Sequence, residues 1–574
     1  MKKNSTEWIS IGTVLGDTNI DTFFFNLKNH KAKKGDIVTT ESKVPTEEGK
    51  VVPVTVWGKI TSIESTNQFF PREAAQELTN SNIDIRDTIL PTTRDELICK
   101  VLILGYTNNL DINNINRLLP LNYPVRPAAN VKYPASEEVQ KMLITSLNSK
   151  HPIFIGSLLA RAAVKIRVDA DNLVSRHFLI TGMSGSGKTV FVRRLIAEML
   201  KLLFPCLVLD IHGDYLGFVQ KQKKFFPNNK IKLFYPKLSV NSEDKEIIYT
   251  LIQKLGKSLT DPQNDYLNTL LERIDYENGA SIVEYINLLV ARSRDFITER
   301  NSNTKGRSNG FSHFKASTMY VVTRSLREVS KKLVKMEQTN FKHRNKMKNL
   351  NFEELPDPVS EPEKIISKGQ LSILYLKGYE SLPASAIVSI LLEALFSHRQ
   401  EIQEEIPPFL TIIEEAHNFI PSRAENKDNL PSVDTIRRLI SEGRKFGTGI
   451  AIVSQQPNRL DSTIVAQCNS QIFFRIKNQS NQRFVRETSE YADKDDTNQL
   501  PNLANGQAII CGQIVNFSLP VQIQFDEHLL NDDIGNEDFI STVDKWNDKE
   551  SVKQRKKFAK AFSNISDNDI RRPH

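Results

Sequence analysis

The stretch Gly182-Met183-Ser184-Gly185-Ser186-Gly187-Lys188-Thr189 decides the fold. It matches the phosphate-binding pattern GxxxxGK[ST] in full. Its flanks are the ones the pattern requires, an apolar strand (His177–Thr181) before it and an amphipathic helix (Thr189–Phe204) after it. Glycine has no Cβ, so the backbone here can wrap closely round a phosphate. Amide N–H groups from Gly185 to Thr189 point inward, and the start of the following helix adds positive potential. Lys188 then reaches the β- and γ-phosphates of ATP, and the Thr189 hydroxyl is placed to ligate Mg2+. Residues Gly182 to Val190 as a whole form the nucleotide cradle.

A phosphate cradle needs acids opposite it. Phe409-Leu-Thr-Ile-Ile413 is an apolar strand that delivers Glu414-Glu415-Ala416-His417 at its carboxyl end, where ligands sit in open α/β sheets. Glu414 is the candidate for the Mg2+ shell, directly or through water. Glu415 is the candidate general base acting on the attacking water. Three further segments fall into the same row. Asp210 ends the strand Leu207-Val-Leu and could support Mg2+ or water, or cap the turn Ile211-His212-Gly213-Asp214-Tyr215. Gln455, after Ile452-Val-Ser454, is placed to sense the γ-phosphate or orient water. Arg444, in Ser441-Glu-Gly-Arg-Lys-Phe-Gly447, is the first candidate for charge supplied to the transition state across a subunit boundary, and Arg176 is the second.

Around these strands, short apolar runs alternate with longer amphipathic helices, the signature of a parallel α/β sheet. The expected strands are Phe178–Thr181, Leu207–Asp210, Leu371–Leu376, Phe409–Ile413, Gly449–Ser454 and Gln471–Arg475, with Ala508–Cys511 joining late. Residues 9 to 110 read instead as short β-branched and aromatic runs separated by turns, which predicts a small barrel, and Asp111–Gln140 reads as an irregular connector. Helical spacing without strands over 243–350 predicts an insertion. The resulting division is 1–150 for the barrel and connector, 151–242 and 366–530 for the two parts of the ATPase core, 243–365 for the helical insertion and 531–574 for a polar tail. The segment Arg300–Ser312 reads as a polar linker within the insertion.

Composition narrows the class. The 574 residues are 39% hydrophobic and 25% charged, ordinary for a globular protein, and the net charge of +8 is compatible with nucleic acid without requiring it. No apolar run reaches the roughly 20 residues of a membrane helix, and the N-terminus lacks the apolar core of a secretory signal, so a cytoplasmic protein is expected. Cys99, Cys206, Cys468 and Cys511 lie far apart, which argues for buried thiols rather than zinc or disulfides. Trp57 reads as core. Lys331, Lys332, Lys335, Lys342, Arg344, Lys346 and Lys348 form a basic stretch that could neutralise phosphates, and Arg437-Arg438 could line a channel.

Taken together, Arg176-His177, Asp-Ile-His-Gly-Asp-Tyr, Glu-Glu-Ala-His-Asn-Phe, Glu-Gly-Arg-Lys-Phe-Gly and Ser-Gln-Gln-Pro resemble the signatures of the HerA branch of the FtsK/HerA ATPases, over residues 150 to about 525. The resemblance implies a RecA-like core behind an N-terminal barrel, a homohexameric ring and DNA passing through its channel without sequence preference. Nucleotide would lie between neighbours, which favours Arg444 and Arg176 as nucleotide contacts. It also implies a partner nuclease or other effector docking on the barrel, in DNA end processing or anti-phage defence. The alternative expectation is a ring scaffold that uses ATP as a switch to organise an effector without translocation.

Overall fold

The computed structural model describes residues 8–28, 31–45, 50–67, 95–108, 118–143, 150–236, 239–240, 245–256, 259–274, 280–301, 311, 313–347, 349–401, 405–425, 429–526 and 553. The tail expected over 531–574 apart from residue 553, most of the linker Arg300–Ser312, and Lys348 lie outside them.

Six antiparallel strands form a closed barrel: β1 (Ile9–Thr18), β2 (Thr22–Leu27), β3 (Ile37–Pro45), β4 (Val51–Thr66), β5 (Glu96–Asn108) and β6 (Asn130–Tyr133), in the order β1-β2-β5-β4-β3-β6. Closure pairs every edge, so no strand is left as a template for aggregation. Ile11, Val14, Phe23, Phe25, Val38, Val56, Ile60 and Val101 fill the interior. Gly58 is required there, because a Cβ on it would stand 2.3 Å from Val101 Cγ1. The connector expected over Asp111–Gln140 is therefore not wholly irregular. Its Asn-Val-Lys-Tyr segment is β6, which closes the barrel, and four residues are too few to show a strand period.

The rest of the chain is built on one sheet. Its strands are β7 (Pro152–Leu158), β8 (Lys165–Asp169), β9 (Phe178–Thr181), β10 (Cys206–Asp210), β11 (Lys230–Tyr235), β14 (Phe352–Glu354), β15 (Gln370–Tyr375), β16 (Phe409–Ile413), β17 (Thr448–Ser454), β18 (Ser470–Phe473), β19 (Gln507–Gly512) and β20 (Leu519–Ile523); a separate two-residue ladder pairs β12 (Ser239–Val240) with β13 (Ala280–Ser281). The sheet order is β14-β11-β15-β10-β16-β17-β9-β18-β19-β20-β7-β8, parallel from β14 to β18 and antiparallel beyond. Helices cover both faces of the parallel part, so β9, β10, β15, β16, β17 and β18 are buried along their whole length. In β10 the faces alternate. Cys206 and Val208 pack with the helix Lys188–Lys201, whereas Leu207 and Leu209 pack with the opposite layer.

That opposite layer contains the insertion. Its helices Lys245–Leu255, Asp261–Arg273, Ile282–Asn301 and Ala316–Asn345 share one core with the helix Ser381–Glu401. The insertion ends earlier than 365, because β14 returns to the sheet edge beside β11. Both strands escaped the sequence reading, β14 for its three residues and β11 because Lys230 and Lys232 interrupt the apolar run. One helix, Ser381–Glu401, is long and apolar enough to cross a membrane, contrary to the reading that no run is, and most of it is buried against the sheet. All four cysteines are buried and unpaired.

Two buried ion pairs fix the barrel to the core. The Asp36 carboxylate accepts from Arg161 Nε and Nη2 at 3.0 and 2.7 Å, and Lys59 Nζ lies 3.4 Å from Asp496. Trp57 is buried at the same seam, where its indole N–H donates to Thr107 Oγ1 at 3.0 Å.

Candidate nucleotide site

The phosphate loop joins β9 to the helix Lys188–Lys201. Gly185 and Gly187 have φ of +70° and +113°, conformations that cost an L side chain strain. The loop is also propped from below. Met183 N–H donates to the Arg475 carbonyl at 2.8 Å, and Gly506 N–H donates to the Ser186 carbonyl at 2.9 Å. A Cβ on Gly187 would stand 3.1 Å from Gly506 Cα, so the loop and its support leave no room for a larger residue. Ser184 is exposed, Thr189 and Val190 are half-buried, and Lys188 is buried with its ammonium folded back onto the Met183 carbonyl at 2.9 Å.

β16 lies two strands from β9, with β17 between them, and its carboxyl end brings in the acids. Burial pushes the Lys188 pKa down, while the charges of Glu415, Glu414 and Asp214 oppose that shift. The two halves of the motif thus share one cleft. Glu414 is 3% exposed, and burial, reinforced by Asp214, Glu415 and Asp210, pushes its pKa up to about 8. Glu415 turns the chain at φ +47°, a strained conformation for a non-glycine residue that presents two consecutive acids at the end of one strand. Gln455 Nε2, at the end of β17, donates to Glu415 Oε1, and His417 Nδ1 lies 3.4 Å from Glu415 Oε2 without hydrogen-bond alignment.

The buried Oε2 atoms of Glu414 and Glu415 accept no hydrogen bond among the described residues. Leaving such groups unpaired is expensive. Two orphaned carboxylate oxygens facing a lysine beside an open phosphate loop fit a Mg2+–nucleotide, with Thr189 and Glu414 as the residues that would hold the metal.

Asp210 is not free for this chemistry. Its Oδ1 accepts from the backbone N–H of His212, Gly213 and Asp214 at 3.1, 2.7 and 3.2 Å, and Oδ2 accepts from Tyr215 N–H at 3.1 Å. It is fully buried, and burial, with the Asp214 charge, raises its pKa to about 6 against the donors of Tyr215, Gly213 and Asp214. The catalytic reading of Asp210 is therefore corrected: it caps the loop and so positions Asp214. Asp214 is the residue the sequence reading passed over. Its charge reaches both Lys188 and Glu414, and Arg193, from the helix after the phosphate loop, holds its carbonyl at 2.6 Å.

Arg176 and Arg444 lie elsewhere. Each precedes its strand, whereas the phosphate loop and Gln455 follow theirs. The two arginines therefore stand at the amino edge of the sheet, where the Arg444 charge acts on His177 and Arg176 bonds Gln513. The seven residues of β17, at about 3.3 Å each, put Arg444 roughly 20 Å from this chain's own cleft. Neither arginine can touch the nucleotide held by the same chain. Arg437 pairs with Asp434 and Asp461, and Arg438 pairs with Glu393, so the expected channel arginines are engaged within the chain.

Residues 153–395 match the family described as Helicase HerA, central domain. The chain is 26% identical to a probable helicase of Methanocaldococcus jannaschii, over 92% of this chain and 98% of that one. It is 27% identical to the DNA double-strand break repair helicase HerA of Pyrococcus furiosus, over 79% of this chain and 82% of that one. Among solved structures, VirB4 of Thermoanaerobacter pseudethanolicus aligns over 67% of this chain and 99% of its own, at 10% identity and a TM-score of 0.43. With a complete phosphate loop, paired acids at the end of β16 and these similarities, the chain is a P-loop ATPase that resembles the HerA helicases, its residues 153–395 matching their central domain.

Proposed function

We propose that ATP turnover in this cleft drives a homohexameric ring along duplex DNA. The observation that carries the reading is the separation of the hydrolytic groups across one chain. Lys188, Glu414 and Glu415 occupy the carboxyl edge of the sheet, and Arg176 and Arg444 occupy the amino edge, roughly 20 Å away on the strand spacing. A head-to-tail neighbour would bring its amino edge against this cleft, and six such contacts close a ring. The relatives named as helicases support DNA as the track.

In the assembled site Glu415 takes the proton of the attacking water and Gln455 orients that water. The bond from the γ-phosphorus to the β,γ-bridging oxygen breaks as the water oxygen bonds to phosphorus. Lys188 and the neighbour's arginine carry the charge that spreads over the γ-phosphoryl oxygens. Bound Mg2+ would supply Lewis-acid neutralisation of the phosphates from Thr189 and Glu414. A nuclease or other effector would dock on the barrel, which the Asp36–Arg161 pair couples to the core.

The test is ATP turnover with and without duplex DNA of arbitrary sequence, together with native mass. Stimulation by DNA and a six-subunit mass are expected. Turnover indifferent to DNA, in a protein that binds none, would remove the motor. A Glu415→Gln ring that still activates its partner effector would identify a switchable scaffold instead.

A further inference from the structure

The helix Ala316–Asn345 is 30 residues long, and the structure sorts its cations differently from their order in sequence. Lys332 turns inward to donate to the Leu255 carbonyl at 2.6 Å, and Arg344 lies 3.7 Å over the Tyr235 ring. Two residues outside the basic stretch first noted, Arg324 and Arg327, join Lys331, Lys335 and Lys342 on the solvent side, all exposed and at helical spacing. Tyr320, 56% exposed, opens the row.

An ordinary solvated face mixes signs, as Arg324 and Glu328 do at 3.4 Å. The middle of this helix does not. Arg327 with Lys331, and Lys331 with Lys335, are like charges four residues apart, an arrangement that destabilises a helix standing alone. Lys342 lies in the last turn, where the negative end of the helix favours it, but that explanation does not reach Arg327, Lys331 or Lys335. No carboxylate pairs with those three among the described residues. Glu337, the next acid along, is half-buried and acts on Tyr379, on the inward side. A cost retained on an exposed face, with no carboxylate partner for these three among the described residues, points to a polyanionic partner. Arg324 to Lys342 spans about 27 Å at 1.5 Å per residue, or roughly eight base pairs.

We infer that this face binds the phosphate backbone of duplex DNA, as a track on the helical insertion separate from the nucleotide cleft. The inference rests on the reading of the chain as a DNA motor and adds to it a surface that contacts the substrate without reading bases.

The test compares full-length wild type with the triple variant Arg327→Gln, Lys331→Gln, Lys335→Gln and with a charge-keeping control (Arg327→Lys, Lys331→Arg, Lys335→Arg). Duplex affinity is measured against salt by fluorescence anisotropy. Three lost phosphate contacts at about 0.9 each should lower the slope of log K against log salt by about 2.7 in the triple variant, and not in the control. DNA-free ATP turnover should stay at the wild-type rate in both. An unchanged slope and affinity in the triple variant, with the wild type binding normally, would overturn the inference. So would loss of polyglutamate binding at unchanged DNA binding, which would mark an acidic protein as the partner. Wild type that binds no duplex at all would instead remove the motor reading on which the inference stands.

Discussion

If Arg444 serves a neighbour's cleft, activity lost in one subunit can be restored by another. The roughly 20 Å between Arg444 and the phosphate loop of its own chain excludes rescue within that chain. Arg444→Ala should therefore bind ATP normally and lose turnover by about 10³-fold or more, as expected for an arginine acting in trans. Lys188→Ala should fail through its own phosphate loop. Mixed in equal amounts, dissociated and reassembled, the two inactive proteins place an intact loop against an intact arginine at about one interface in four, because the head-to-tail contact uses different faces of each subunit. Turnover per subunit should then recover to about one quarter of wild type, measured by phosphate release after reassembly. No recovery, with exchange verified by native mass, would refute the placement of Arg444 in trans. Near-normal turnover of the single Arg444→Ala variant would refute any catalytic part for it.

Three further outcomes follow from the same structure. Gly187→Ala forces a side chain into φ +113° against Gly506, at a strain of about 1–3 kcal/mol, so ATP affinity should fall about 5- to 150-fold by calorimetry while the protein stays folded. Burial, with the Arg444 charge in support, holds the His177 imidazole pKa down at about 4 from 6.5, so the fold favours the neutral ring. That stability is fully present above pH 6.5 and is lost as pH falls through 6.5 towards 4, a loss of about 3 kcal/mol in denaturant unfolding that His177→Asn should largely abolish. Asp36→Ala would leave Arg161 buried without a counter-charge and should cost about 3–5 kcal/mol, whereas Asp36→Leu with Arg161→Met should cost less, as read from thermal unfolding.

The parts of the fold that sequence revealed are those where physics leaves few choices. Buried parallel strands such as Phe409–Ile413 and Leu207–Asp210 must be apolar throughout, and a backbone that wraps phosphate must carry glycine beside lysine and threonine. Short or interrupted strands were silent: Lys230-Ile-Lys-Leu-Phe-Tyr235, next to the edge strand β14, breaks its apolar run with two lysines, and Asn130–Tyr133 closes the barrel with only four residues. Sequence could not assign Asp210, because a carboxylate after a strand can face metal or its own loop, and only the four backbone donors around it decide. The same holds for Arg444. Its chemistry was legible, but its distance from the cleft depends on strand direction and register. Asp214 went unmarked because its approach to Lys188 depends on the loop that Asp210 caps.

The most direct measurement pairs ATP binding with turnover in wild type, Lys188→Ala and Glu415→Gln. Shared occupancy of one cleft predicts that Glu415→Gln binds ATP–Mg2+ at least as tightly as wild type and loses at least about 10²-fold in turnover, the contribution of a general base. Lys188→Ala should lose binding and turnover together. Lys188→Ala protein that still hydrolyses ATP at the wild-type rate would contradict the account at its centre.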